Sequence, residues 1–209
     1  MDKLDLRKQY KQLYLPPANQ VVVVQVPAFQ YAMIDGAIEP DESPGTSPAF
    51  QQVMQALYGV TYTLKFMSKL RKENPIDYKV MTLEGLWWVE DGEFDITKPG
   101  NWCYTLMILQ PDHISQGMYQ EALAQLRVKK PNPALDKLRL ETFEEGLCIQ
   151  TMHSGPYADE MATIARMDAF AQEKGYTLHG KHHEIYMGDP RRGDPAKLKT
   201  VLRHPVRKN

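Results

Sequence analysis

The segment Lys181-His182-His183-Glu184-Ile185-Tyr186-Met187 sets a carboxylate inside a run of apolar and aromatic residues. Its composition reads as a strand leading into a turn at Asp189-Pro190-Arg191-Arg192, with Asp189 bonding its own backbone. Side chains alternate along a strand, so His182, Glu184 and Tyr186 share one face while His183, Ile185 and Met187 share the other. A carboxylate held among rings is costly unless it meets a cation or a hydrogen-bond donor, or takes up a proton. A ligand site or a general base uses that tension. The alternative is a solvated strand face.

Other aromatic residues sit where they could complete such a site. In Leu83-Glu84-Gly85-Leu86-Trp87-Trp88 the adjacent tryptophans fall on opposite faces, so only one points into a given cavity. Trp102 and Tyr104 share a face and could stack beside that tryptophan across a hairpin. With Glu184 they would form an aromatic box with an acid in its floor, suited to cationic or electron-poor ligands. Plain core filling is the other reading of the same residues. Met152-His153-Ser154-Gly155-Pro156-Tyr157 reads as a strand end breaking into a helix start, whose free N–H groups could face an anion.

Six histidines raise the question of a metal, with His182-x-Glu184 on one face and His153 or His179 near it. No His-Glu-x-x-His or paired cysteines accompany them, so no metal site and no cofactor are expected. Neither a Gly-x-Ser-x-Gly elbow nor a Gly-rich phosphate loop is present, which argues against hydrolysis through a covalent enzyme intermediate.

Composition narrows the partners. Lys+Arg 25 against Asp+Glu 26 leaves no basic stripe for nucleic acid, since Arg191-Arg192 and residues 203–208 are short and local. No apolar run reaches membrane-spanning length and the N-terminus lacks an apolar signal region. Cys103 and Cys148 are too few for a disulfide scaffold, so a reduced, cytoplasmic protein is the expectation, and the sequence leaves monomer and homodimer both open. Tyrosine and methionine, 11 of each, suit a pocket for flat or bulky molecules and equally suit a core.

The elements that must position these residues follow from periodicity. Residues 1–20 are a polar leading arm. Residues 21–38 read as one long or kinked strand broken by Pro27. Ser47-Pro48 caps a helix reaching about Leu70, with Phe50, Val53, Met54, Leu57, Thr61 and Leu64 facing inward and Tyr58, Tyr62 and Phe66 on a flank. Residues 78–90 and 101–110 form a hairpin, and residues 113–130 an amphipathic helix stopped by Pro131 and Pro133. Residues 138–154 are strand-like with a turn or bulge at Glu145-Gly146. Residues 157–174 are helical, with Met161, Ile164, Ala165, Asp168 and Ala169 along one side and Gly175 as terminator. A strand covers residues 178–187, and Asp194-Pro195 opens a short last helix carrying Leu198, Val201 and Leu202.

Strand, helix and strand pair thus recur on either side of Pro131–Pro133, over residues 21–130 and 135–209. The expected fold is α+β: one domain over residues 21–209 built from duplicated βαββ modules, with one antiparallel-rich sheet and helices on one face.

Several separated motifs carry a resemblance. His183-Glu184-Ile185-Tyr186-Met187-Gly188-Asp189-Pro190-Arg191-Arg192, Leu83-Glu84-Gly85-Leu86-Trp87-Trp88, Leu57-Tyr58-Gly59-Val60-Thr61-Tyr62 and His153-Ser154-Gly155-Pro156-Tyr157 resemble the GyrI-like small-molecule-binding family, from about residue 20 onward. The resemblance implies a duplicated βαββ fold with a ligand cleft between the halves. Relatives serve as effector-binding domains of multidrug-responsive transcription activators, where an acid in an aromatic pocket meets cationic drugs. Without a DNA-binding extension, this chain is similar to the stand-alone branch, some of whose members are hydrolases that open the cyclopropane of DNA-alkylating compounds. The pocket acid corresponds to Glu184, the aromatic that follows it to Tyr186, and the first-helix tyrosines to Tyr58 and Tyr62.

The expectation is therefore an enzyme that adds water to strained or electrophilic aromatic compounds for detoxification. Glu184 is its general base, and Tyr62 or Tyr186 is the donor to the developing oxyanion. Tyr58, Trp87, Trp88, Trp102, Tyr104, His153 and Tyr157 are the candidate ligand-binding residues. The alternative is a module that binds or senses aromatic or cationic compounds without converting them.

Overall fold

The computed structural model describes residues 3–92, 94–188 and 194–209, so the expected turn at Asp189-Pro190-Arg191-Arg192 lies outside the described residues. Two single-turn helices, α1 (Leu6–Gln9) and α2 (Lys11–Tyr14), lead into strands β1 (Val22–Val26) and β2 (Phe29–Ala37) and helix α3 (Pro48–Leu70). Strands β3 (Glu84–Trp88) and β4 (Cys103–Leu109), helix α4 (Gln116–Lys129) and strands β5 (Arg139–Phe143) and β6 (Gly146–Ser154) follow. Helix α5 (Met161–Lys174) and strands β7 (Tyr176–Leu178), β8 (His182–Tyr186) and β9 (Lys199–Lys208) complete the order.

The strands form one sheet in the order β1-β6-β9-β8-β3-β4-β2-β5, with β7 beside β9, and neighbouring strands run antiparallel. The repeat is visible in it. β2-α3-β3-β4 and β6-α5-β8-β9 are the two modules, and they meet at the β3–β8 seam, where Gly85 lies opposite Glu184. Each module's edge is padded by a strand from the other side of a short link. β1 pairs with β6 although it leads into β2, and β5 pairs with β2 although it leads into β6.

Only Pro27-Ala28 joins β1 to β2, and only Glu144-Glu145 joins β5 to β6. Links this short hold their flanking residues within roughly 11 Å, so the sheet must curl until its two ends approach each other. Pro27 cannot donate to a ladder and ends β1 there. Gly146, at φ 77, takes the left-handed conformation the second link requires.

Residues paired across strands share a face. Trp87, Tyr104, Glu184 and Leu202 lie on the face covered by α3 and α5. Glu84, His183 and Arg203 lie on the opposite face, where α2 inserts Leu13 and Tyr14, both buried. The N-terminal segment is therefore packed into the core rather than held off as an arm. Its apolar residues Leu6, Leu13 and Tyr14 supply the reason, since burying a side chain of this size stabilises by about 1.5–3 kcal/mol.

Helix α3 begins where Ser47 accepts a hydrogen bond from the Phe50 N–H, with Pro48 in the first turn. It buries Phe50, Val53, Leu57, Val60 and Leu64 and leaves Tyr62 and Phe66 half exposed. Two further sequence expectations need correction. Helix α5 is rotated from the side marked by Met161 and Ala165: Thr163, Met167 and Ala171 are buried while Met161 faces solvent. The partners decide this, because Ile149, Leu202 and Val206 of β6 and β9 receive Met167 and Ala171.

The expected last helix is a single 3-10 turn, Pro195–Lys197, followed by strand β9. β9 is the third strand of the second βαββ module. It sits between β6 and β8, so that Val201 and Leu202 are buried in the sheet interior. Among the described residues, no helix is long and apolar enough to cross a membrane.

Candidate functional site

A cleft of about 1650 Å³ opens between the modules, walled by α3 on one side and by β8 and the Tyr157–Ala158 turn on the other. Glu184 lies on its wall only 7% exposed, and it is the sole carboxylate among the described lining residues. Gly85 faces it across the seam. A Cβ there would stand 2.8 Å from the Trp87 Nε1 and 3.2 Å from the Tyr186 hydroxyl, so glycine makes the room in which these two meet. The Trp87 indole N–H donates to the Tyr186 oxygen at 2.9 Å.

Rings extend outward from this pair. Phe50 stacks on Trp87 at 5.9 Å between centroids, Trp102 meets Trp87 edge-on at 5.5 Å, and Tyr157 meets Tyr186 edge-on at 5.8 Å. Tyr58 and Tyr62 line the α3 side, one helical turn apart. The Tyr186 phenol is pushed well above the usual tyrosine range, first by burial and then by the adjacent Glu184 carboxylate, so it keeps its hydrogen at neutral pH.

The structure thus brings Glu184, Tyr186, Tyr62, Tyr58, Trp87, Trp102 and Tyr157 to one cleft, and leaves three of the anticipated residues off its walls. Trp88 points the other way, as strand alternation demands, and carries the Lys181 ammonium 3.2 Å above its ring. Tyr104 stands behind Trp87, where its ring packs against Gly36, and burial raises its phenol to about 12. His153 is buried between the Thr163 hydroxyl at 3.0 Å and the Pro156 carbonyl at 3.1 Å. A carbonyl only accepts, so Nε2 carries a hydrogen, and the Nδ1–Thr163 bond ties the end of β6 to α5.

Two groups of residues escaped the sequence reading. The first is Glu160, directly before α5. It is fully buried, neither carboxyl oxygen has a hydrogen-bond partner among the described residues, and its side chain makes no cap bond to the helix. Burial, and then Glu184, push its carboxyl up to about 9. His182 completes the group: its Nε2 is 3.3 Å from Glu184 Oε1 but off the hydrogen-bond direction. One ligand atom from each of Glu160, His182 and Glu184 lies within 4.8 Å of the others, a spacing that a shared proton or a divalent cation could bridge. Nothing in the local sequence marks Glu160, because an acid before a helix is ordinary capping material.

The second group lies on the opposite face of the sheet. His183 directs Nδ1 to Glu145 at 3.0 Å and Nε2 to Glu84 at 3.1 Å. Both acceptors are carboxylates, so both ring nitrogens donate and the imidazole is cationic. Arg203 bonds Glu145 at 3.2 Å, Gln150 at 2.9 Å and the Leu13 carbonyl at 2.8 Å, and Tyr14 donates to Glu84 at 2.9 Å. Burial raises the Glu145 pKa, but His183 and Arg203 outweigh it and bring the carboxyl down to about 2. Two anions and two cations cancel in a site closed to solvent, a structural ion cluster beneath the seam rather than part of the cleft.

A curled antiparallel sheet with α3 and α5 on one face, and an aromatic cleft with an acid where its halves meet, define a small-molecule-binding domain. The chain belongs to the family of the GyrI-like small-molecule-binding domain, which matches residues 19–207. It is similar to an uncharacterized conserved protein from Listeria innocua of known structure, at 36% identity and TM-score 0.89, over 98% of this chain and 100% of that one. It is also similar to a hydrolase from Listeria innocua, at 36% identity and TM-score 0.86, over 99% of this chain and 100% of that one. No protein of curated function matches the chain significantly.

Proposed function

We propose that the cleft adds water to strained or electrophilic aromatic molecules, opening a conjugated cyclopropane and so removing alkylating compounds. One observation carries the reading: Glu184 sits nearly buried on the wall of an aromatic cleft that Trp87 and Tyr186 also line. Similarity to a Listeria innocua hydrolase over nearly the full length of both chains supports the reaction class.

In the proposed step, a flat ligand lies among Trp87, Trp102, Tyr157 and the α3 tyrosines. Glu184 takes a proton from water as the water oxygen bonds a cyclopropane carbon. The carbon–carbon bond breaks, and its electron pair passes to the conjugated carbonyl, which becomes a phenolate. The Tyr186 oxygen already accepts from Trp87, so the phenol hydrogen can turn to that developing oxyanion. Tyr62, half exposed on α3, is the alternative donor for a ligand bound nearer the mouth. Protonation of the phenolate restores Glu184, and the net change is addition of one water.

Mass spectrometry of a cyclopropane-bearing alkylator incubated with the protein tests this. More than one equivalent of hydrated product per protein is expected, with a loss of about 100-fold or more in Glu184→Gln. Ligand recovered intact from the wild type reduces the cleft to a sequestering or sensing site for aromatic or cationic compounds. Undiminished turnover in Glu184→Gln overturns the assignment of the base.

A further inference from the structure

We propose that Glu160 and Glu184 hold one proton between them in the ligand-free protein, with Glu160 the protonated member. Glu160 is then a positioning residue that leaves Glu184 ionised toward the ligand. The inference deepens the proposed function in that it rests on Glu184 being the acid of the cleft, but it does not require that Glu184 catalyse anything.

The argument is geometric. Carboxyl oxygens of the two residues lie within 4.8 Å of each other, and both side chains are buried. Glu160 has no hydrogen-bond partner among the described residues for either oxygen. Two unscreened carboxylates at that separation in a dry site do not both ionise, and the one with less solvent keeps the proton. Glu160 is fully buried, whereas Glu184 borders the cleft and has the Tyr186 phenol beside it.

Glu184 on β8 raises the Glu160 carboxyl to about 9 together with burial, and the Thr200 hydroxyl on β9 opposes this only weakly. His182, also on β8, approaches Glu184 rather than completing a hydrogen bond to either acid. Asp168 on α5 and His204 on β9 face His182, and burial pushes the histidine of this pair down to about 4.

A divalent cation is the competing bridge. A metal-bound histidine normally donates its other ring nitrogen to a carboxylate or carbonyl, which fixes the ring. The His182 ring is instead held by stacking on Phe94 at 5.5 Å. A proton needs no such support.

Infrared difference spectroscopy of the ligand-free protein provides the test. A protonated-carboxyl carbonyl band is expected in the wild type at pH 7, titrating away near pH 9, and absent from Glu160→Gln. In Glu184→Gln the band should persist but titrate at least about 1 pH unit lower, since the like charge is gone. Three results overturn the proposal: no such band in the wild type at pH 7, a band unchanged in Glu160→Gln, or an unmoved midpoint in Glu184→Gln. A stoichiometric divalent ion in the purified protein, whose removal by chelator creates the band, overturns it as well. The wild type and Glu184→Gln decide the matter even if Glu160→Gln fails to fold. The spectra involve no substrate, so their outcome is separate from any loss of turnover.

Discussion

The Trp87 indole donates a 2.9 Å hydrogen bond to the Tyr186 hydroxyl across the seam between the two modules. That bond fixes the phenol beside Glu184 and directs its remaining hydrogen. In Trp87→Phe the ring stays and the donor goes, so binding of a flat aromatic ligand should weaken about 3–10-fold, as for one net hydrogen bond. Isothermal titration against the wild type checks this, and unchanged affinity would show that the bond does not organise the site.

Gly85 permits that contact. Gly85→Ala places a methyl 2.8 Å from the Nε1 of the buried Trp87 and 3.2 Å from the hydroxyl of the half-buried Tyr186, which are bonded to each other. A stability loss of about 1–3 kcal/mol by urea unfolding is expected, accompanied by weaker ligand binding. A variant as stable as the wild type with full binding would mean that the rings move aside freely.

The ion cluster under the seam should fail when one anion is removed. Glu145→Gln leaves Arg203 and His183 facing a neutral amide in a closed site, at a cost of roughly 3–5 kcal/mol. In the wild type the Glu145 carboxyl is depressed to about 2 from 4.5. Its contribution to stability is therefore complete above pH 4.5 and is lost as pH falls toward 2. Urea midpoints measured across this range should fall steeply for the wild type and less steeply for Glu145→Gln.

Glu160 behaves in the opposite sense. Its carboxyl is raised from 4.5 to about 9, so the folded chain holds a proton that the unfolded chain has released between those values, and stability falls as pH rises through them. Glu160→Gln cannot ionise. It should remove that slope and so gain in stability on the wild type as pH rises from 5 to 9. An unaltered slope in denaturation measured from pH 5 to pH 9 would contradict the raised carboxyl.

How far the sequence led depends on whether a signal was local. Strand alternation placed Glu184 and Tyr186 on one face and separated Trp87 from Trp88, because the period of two is a property of the backbone itself. The α3 cap and the flank carrying Tyr58 and Tyr62 followed from Ser47-Pro48 and the helical period. The inward side of α5 did not follow, since the two candidate stripes are similar in apolarity and packing against Ile149 and Leu202 chose between them. Nor did β9, whose opening Asp194-Pro195 suits a helix start, but whose Val201 and Leu202 are held by strands on either side.

By itself, the chain determined a duplicated α+β architecture and the residue types of an aromatic, acid-bearing cleft, since hydrophobic period, caps and strand faces are written in neighbouring residues. Only the tertiary structure decided which rings reach that cleft, that Glu160 stands behind Glu184, and that His183 joins Arg203 and Glu145 in a closed ion cluster. These relationships join positions as far as 99 residues apart, and they exist because the sheet order β6-β9-β8-β3 sets strands distant in sequence side by side. Proximity of that kind is set by the path of the backbone, and no local pattern encodes it.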